Sequence, residues 1–220
     1  TLSTTVTLNA PKSKSITPAS GGTVEDTTAG VKITIPANSL CSVTCTPTAA
    51  GKVQAKETNN VRSTSTATPV GGKAQDITAT DSGGTAIKAL DSDITIEKTL
   101  TLAEVTATAS ATDSSIDTLA EANALKMAYW DTSLENWIPT KSSTVIYKDS
   151  SGNIITDDTT IDTAAEFSAT VATIVVSAAT SHLSLYAPIS STDPGALSAP
   201  TGLSASSGGA TTINVSWTAV

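Results

Sequence analysis

Short runs in which apolar and polar residues alternate recur along this chain of 220 residues. Clear examples are residues 2–8, 31–35 and 213–217. A two-residue period places every second side chain on the same face of a β-strand. Turn signals rich in Gly, Asp and Ser separate the runs, as at residues 81–84. The pattern predicts an all-β fold, an antiparallel β-sandwich with one short helix and an N-terminal strand arm.

The longest β-favouring stretch, residues 165–188, contains His182, the only histidine of the chain. Residues 167–176 are β-branched, aromatic or small, so we expect a strand there. Small residues at 178–181 predict a turn, and residues 183–187 predict a second strand. The stretch is therefore interpreted as the closing hairpin of the sandwich.

The one predicted helix covers residues 114–123, with sequence SSIDTLAEAN. Ile116, Leu119 and Ala120 have the i, i+3, i+4 spacing of a helix face, and residues 113–115 can cap it. At about two turns, it is expected to be a connection between strands.

The charge and hydropathy of the chain limit its partners. The net charge is −8 and the pI is about 4.5, which disfavours contact with a phosphate backbone. No stretch has the roughly 20 apolar residues that a membrane span needs. The predicted partners are therefore copies of this chain or other surface proteins, with glycans as an alternative, and neither nucleic acid nor a membrane span is expected.

The composition also predicts an extracellular or cell-surface location. The chain begins at Thr1 without an initiator Met, so we expect a processed or trimmed end. Cys41 and Cys45 form a C-x3-C pair, and the chain offers too few further thiolate or imidazole ligands for a structural zinc site. A disulfide that closes a small loop is the predicted use of the pair, and it fits an oxidising compartment.

The chain divides into four predicted segments. Residues 1–20 form an N-terminal strand or arm, residues 21–188 the sandwich, and residues 189–197 a linker. Residues 198–220 carry strand patterns that are too short for an independent sandwich. They are interpreted either as the start of a further domain or as a strand donated to a neighbour.

Two stretches resemble known families. The segments GGTV…VKITIPANSL, DITATDSGGTAIKALDSDITIE, LKMAYWDTSLENWIP and TSHLSLYA, in this order, resemble the ZU5-like β-sandwich of prokaryotic surface proteins. The final stretch, APTGLSASSGGATTINVSWTAV, resembles the first strands of a fibronectin type III domain. The cysteine pair and the Thr-rich stretch at residues 44–68 depart from the first family. The resemblance implies a secreted β-sandwich module.

The tripeptide His182-Leu183-Ser184 is similar to the cleavage site of autoproteolytic GAIN and ZU5 domains. That resemblance implies His182 as the base, Ser184 as the nucleophile and Leu183–Ser184 as the scissile bond. The alternative is a plain closing strand, which we favour. No enzyme activity is predicted, and self-cleavage stays open.

Other residues that could do chemistry have simpler interpretations. The carboxylates lie in or beside predicted turns, so they are interpreted as turn formers. No loop has the regular spacing of a dedicated Ca²⁺ site, so no cofactor or metal is predicted. Binding of Ca²⁺ by the same loops stays an open alternative. Strand lysines could in principle form isopeptide crosslinks, but a solvent-facing position is the favoured interpretation. Asn214 begins a formal glycosylation sequon. The carboxylates are Asp91, Asp93, Asp157, Asp158 and Glu166, and the lysines are Lys32, Lys88, Lys98 and Lys126.

These features together predict a non-catalytic structural or adhesive module of a secreted surface protein or filament. Strand donation by residues 1–10 or 198–220 would assemble it. The alternatives are the autoproteolytic domain and a carbohydrate-binding accessory module of a secreted hydrolase. The last would need an exposed aromatic platform, for which Tyr129, Trp130 and Trp137 are the candidates, although packing of the two Trp side chains across their turn is favoured.

Overall fold

A computed structural model of the chain describes residues 10–40, 51–59, 61–64, 67–87, 89–110, 115–156, 161–191, 201–209 and 212–218. These residues form fifteen strands, three short α-helices and one 3-10 helix at Val70–Gly72. The helices are α1 (Leu102–Thr106), α2 (Leu119–Asn123) and α3 (Ala164–Thr170). The strands are β1 (Lys12–Ile16), β2 (Gly22–Asp26), β3 (Val31–Ile35), β4 (Gly51–Asn59), β5 (Ala67–Pro69), β6 (Lys73–Thr80), β7 (Ala86–Ile87), β8 (Ala89–Thr101), β9 (Lys126–Asp131), β10 (Asn136–Pro139), β11 (Ser143–Lys148), β12 (Thr173–His182), β13 (Leu185–Ser191), β14 (Thr201–Gly209) and β15 (Thr212–Thr218).

Two antiparallel sheets enclose the main core. The eight-stranded sheet has the order β1-β4-β6-β13-β9-β10, with β5 paired to β13 and β7 paired to β6. The five-stranded sheet has the order β11-β12-β8-β3-β2. The prediction of an all-β sandwich is confirmed, with three short α-helices where one was expected. A separate pair, β14 and β15, confirms strands in the C-terminal stretch.

The predicted alternation fills the main core. On β3, Val31, Ile33 and Ile35 are buried, and Lys32 between them is exposed. On β8, Ile94, Ile96 and Leu100 are almost fully buried. Burying such side chains contributes about 1.5–3 kcal/mol each, so these central strands supply a large share of the stability.

A second apolar cluster lies on the opposite face of the eight-stranded sheet. Trp137 on β10 pairs with Trp130 on β9, and the two rings make an edge contact at 5.4 Å between centroids, as predicted. Trp137 is fully buried with Ala128, Ala187 and neighbouring side chains. Its indole N–H donates to the carbonyl oxygen of Arg62 at 2.7 Å. Residues 61–64 therefore cover part of the outer face of this sheet.

The predicted closing hairpin is wrong. β12 belongs to the five-stranded sheet and β13 to the eight-stranded sheet, so the chain crosses the sandwich at Leu183 and Ser184. Phe167 lies in helix α3 and not in a strand. The reason is a capping box: Thr163 accepts from the N–H of Glu166, and the Glu166 carboxylate accepts from the N–H of Thr163. This local cap starts a helix despite the β propensity that follows.

The helix predicted at residues 114–123 is confined to α2. Its N-cap is Thr118, whose side chain accepts from the N–H of Glu121. Ile116 is buried in the core ahead of the helix. Residue 114 lies outside the described residues.

The sandwich begins before residue 21. The predicted strand at residues 2–8 lies outside the described residues, but β1 at residues 12–16 pairs with β4 along its whole length. Ile16 at its end is 1% exposed and belongs to the core. The stretch expected to form part of a separate arm therefore supplies an edge strand.

Trp137→Ala should lower the free energy of unfolding by about 3–5 kcal/mol, because it empties the second apolar cluster and frees the carbonyl of Arg62. Trp130→Ala is the matched control, since that ring is only half-buried and should cost less. Denaturant unfolding of both variants measures the difference. Equal losses would contradict the buried position of Trp137.

Candidate functional site

A row of polar side chains crosses the inner face of the eight-stranded sheet. Glu57 on β4 pairs with Gln75 on β6, Gln75 pairs with Tyr186 on β13, and Tyr186 pairs with Tyr129 on β9. Directly paired residues share a face, and Glu57 has the same parity as the buried Val53. We call Glu57, Gln75, Tyr186 and Tyr129 the interior polar row. The facing sheet places polar partners against it.

Tyr186 is the most connected member of the interior polar row. Its hydroxyl lies 2.7 Å from Nδ1 of His182, 2.8 Å from the carbonyl oxygen of His182 and 2.8 Å from Oγ1 of Thr180. A phenol has one proton to donate, so at least one of these partners donates to the Tyr186 oxygen. Burial raises the pKa of Tyr186 far above its ordinary value, so the phenol stays neutral.

These bonds join the two sheets. Thr180 and His182 lie on β12 of the five-stranded sheet, and Tyr186 lies on β13 of the other. The ring of Tyr129, on β9, makes an edge contact with the His182 ring at 4.4 Å between centroids. The cluster therefore fastens the sandwich beside the point where the chain crosses between its sheets.

The same geometry bears on self-cleavage. The hydroxyl of Ser184 donates to the carbonyl oxygen of Trp130 at 3.3 Å, while Nδ1 of His182 is bonded to Tyr186. The structure thus brings both residues to the crossover but bonds Nδ1 of His182 and the hydroxyl of Ser184 to different partners. Cleavage at Leu183–Ser184 stays an open alternative, and it would need His182 to activate the Ser184 hydroxyl.

The other end of the interior polar row meets a buried lysine. Lys98 on β8 is 4% exposed, and its Nζ lies 3.7 Å from Oε2 of Glu57. Its ammonium also donates to the carbonyl oxygen of Ala29. Burial lowers the pKa of Lys98, and the neighbouring Glu57 carboxylate opposes part of that effect.

The favoured solvent-facing interpretation of Lys98 is wrong. Lys98 has the same strand parity as Ile94, Ile96 and Leu100, which all face the core. That parity was the signal in the sequence, because a period of two sends all four residues to one face. Among the other strand lysines, Lys32 forms an exposed ion pair with Glu97 at 2.8 Å, and Lys126 is exposed.

The other predicted site residues are not brought together. Glu166 caps α3, and Asp91 and Asp93 are exposed on β8. The backbone of Asn214 lies on β15. Within the described ranges, no group of three or more His, Cys, Asp or Glu side chains could hold a metal ion. Cys41, Cys45, Lys88, Asp157 and Asp158 lie outside the described residues.

The three aromatic residues do not form an exposed platform. Trp137 is fully buried, Trp130 packs against it, and Tyr129 packs against His182. A groove of about 380 Å³ does open on the outer face of the five-stranded sheet, and its lining includes the Lys32–Glu97 ion pair. These three residues therefore do not supply the exposed aromatic platform that the carbohydrate-binding alternative needs.

No protein-family model, curated protein or solved structure matches this chain. In the part of the chain that the structure describes, none of the helices has the length and apolar character for crossing a membrane. The case for a function therefore depends on the geometry described above.

Tyr186→Phe should lower the free energy of unfolding by about 1–3 kcal/mol, because it leaves the buried Thr180 hydroxyl and the half-buried His182 ring nitrogen without their shared partner. Tyr129→Phe is the control, since it keeps the ring beside His182 and removes a hydroxyl from a half-buried side chain. Thermal and denaturant unfolding give both values. A loss for Tyr186→Phe no larger than for the control would show that the hydroxyl does not fasten the sheets.

Intact-mass measurement of the purified chain should give a single uncut species, because His182 and Ser184 bond to other partners. Two fragments that meet at Leu183–Ser184, and that disappear in Ser184→Ala, would instead establish self-cleavage. Incubation at several pH values extends the test to slow cleavage.

Proposed function

We propose that this protein is a non-catalytic structural or adhesive module of a secreted or surface-displayed assembly. The observation that carries the proposal is that the groups best suited to chemistry bond to one another between the sheets. The Tyr186 hydroxyl forms a hydrogen bond with Nδ1 of His182, and Glu57 forms an ion pair with Lys98. Such groups stabilise a fold and are not aimed at an incoming substrate.

The outer face of the five-stranded sheet supports the same function. Thr23, Thr34 and Thr95 stand opposite one another on three adjacent strands, and Thr144 bonds to Ser177 at 2.6 Å on the next pair. Threonine combines a β-branched shape that favours strands with a hydroxyl that tolerates water. This face combines a row of hydroxyl groups with the exposed Lys32–Glu97 ion pair, and such a polar surface suits a module exposed outside the cell.

The edges of the sheets suggest how copies could assemble. Edge strand β1 turns Lys12 and Lys14 toward the inner side, and edge strand β10 ends in Pro139; both features oppose further pairing. Edge strand β11 turns Val145 and Tyr147 inward instead. Residues 143–146 of β11 are the proposed acceptor for a strand from another copy.

The proposed donor is the N-terminal segment, residues 1–10. Its residues Leu2, Val6 and Leu8 alternate with polar ones, as a strand added to a half-buried edge requires. Fit between an alternating donor and an uncharged edge favours copies of this chain as the partner.

Deletion of residues 1–10 should abolish polymer formation while the sandwich stays folded, because β1 and the core remain. Electron microscopy and light scattering detect the polymers, and circular dichroism follows the fold. Normal filaments from the deletion variant would contradict strand donation by residues 1–10.

A matched pair of substitutions tests the same proposal at single-residue level. Val6→Lys puts a charge on the face of the donor that must be buried, whereas Thr5→Lys puts it on the solvent face. Assembly should be lost in the first variant and kept in the second. Equal behaviour of the two variants would contradict insertion of this strand.

A further inference from the structure

Three polar side chains are buried in neighbouring positions inside the sandwich, in an arrangement that ordinary packing does not require. Lys98 is 4% exposed and Gln75 is 2% exposed, while the Glu57 side chain is 7% exposed. Neither the amide nitrogen nor the amide oxygen of Gln75 has a hydrogen-bond partner among the described residues. Buried polar groups in native proteins are almost always paired, so an orphaned carboxamide opposite a carboxylate that holds a buried amine calls for a physical reason.

The positions of the three groups follow from the sheet register. Gln75 and Glu57 stand directly opposite each other on β6 and β4, which sets their Cβ atoms about 4.5–5.5 Å apart. Lys98 reaches in from β8 of the facing sheet, with Nζ 3.7 Å from Oε2 of Glu57. The carbonyl oxygen of Ala29 holds the same Nζ from the other side. The amine is therefore fixed beside the carboxylate that neighbours the carboxamide.

We propose that Lys98 and Gln75 join in an isopeptide bond within the folded chain, with Glu57 as the proton carrier. Glu57 takes a proton from the Lys98 ammonium, and the free amine attacks Cδ of Gln75. The Cδ–Nζ bond forms and the Cδ–Nε2 bond breaks, so one ammonia leaves. Of the five hydrogens on the two nitrogens, one stays on the new amide, three leave with ammonia and one remains on Glu57 until it passes to solvent. Nothing is oxidised or reduced, and no cofactor is needed.

The interior of the sandwich raises the reactivity of the amine and restricts the movement of the reacting groups. Burial lowers the pKa of Lys98, which raises the fraction of reactive amine. Two groups held by rigid strands also react as if at very high concentration, since the fold has already removed their freedom of movement.

The bond would link the two sheets covalently, because Gln75 lies in the eight-stranded sheet and Lys98 in the five-stranded sheet. This inference does not depend on assembly of the protein with other copies. A monomeric chain could carry the crosslink, and an assembling chain could lack it.

The test is the mass of the full-length purified chain, measured after reduction and denaturation. The expected value lies below the sequence mass by one ammonia, and proteolysis should release one joined peptide that contains Gln75 and Lys98. An unchanged mass would overturn the proposal. Loss of one water with a peptide that joins Glu57 to Lys98 would overturn the assignment to Gln75, and loss of ammonia without a joined peptide would do the same.

Three variants separate the roles. Lys98→Met removes the nucleophile and Gln75→Met removes the carboxamide, so each should restore the uncrosslinked mass. Glu57→Gln keeps the shape of the side chain and should slow the reaction at least tenfold. Lys126→Met, on an exposed lysine of β9, is the control and should leave the crosslink intact. A crosslink that persists in Gln75→Met would contradict the proposal, and the peptide map of the unaltered chain decides the question even if a variant fails to fold.

Discussion

The hydroxyl of Tyr186 lies where the two sheets of this sandwich meet, and its bonds to Thr180 and His182 cross from one sheet to the other. Apolar packing alone attracts two sheets without fixing how they lie over each other, because the hydrophobic effect has no direction. Hydrogen bonds have a direction, and a buried one that is lost leaves its partners unsatisfied. Tyr186 therefore fixes the alignment of the sheets beside the crossover at Leu183 and Ser184.

The interior polar row extends this principle across the sandwich. At its far end Glu57 and Lys98 form a buried pair of opposite charge, again with one member on each sheet. Replacing such a buried ion pair by apolar residues often causes no loss in the free energy of unfolding. The pair therefore contributes more to the alignment of the sheets, or to chemistry, than to stability. Gln75 lies between this pair and Tyr186 in the strand register. Such fixed alignment would help the proposed structural module to keep its shape.

Local patterns predicted much of this fold, and non-local contacts account for most of what they missed. Alternation located β3, and the turn at residues 81–84 joins β6 to β7 as expected. The capping box at Thr163 and Glu166 and the core parity of Lys98 were also readable, but β propensity and the usual exposure of lysine outweighed them. The sequence could not predict that β12 and β13 belong to different sheets, because a strand shows the same alternation of apolar and polar residues in either sheet. Burial of Trp137 likewise depends on residues 61–64, which are far away along the chain.

The central claim is that hydrogen bonds and an ion pair among the interior polar groups hold the two sheets together. A double-mutant cycle with Thr180→Val and Tyr186→Phe tests it most directly, because the two residues lie on different sheets and share one hydrogen bond of 2.8 Å. The account predicts a coupling energy of about 0.5–3 kcal/mol from denaturant unfolding of the four proteins. Strictly additive losses would contradict it, since they would mean that the two sheets are not joined at this point.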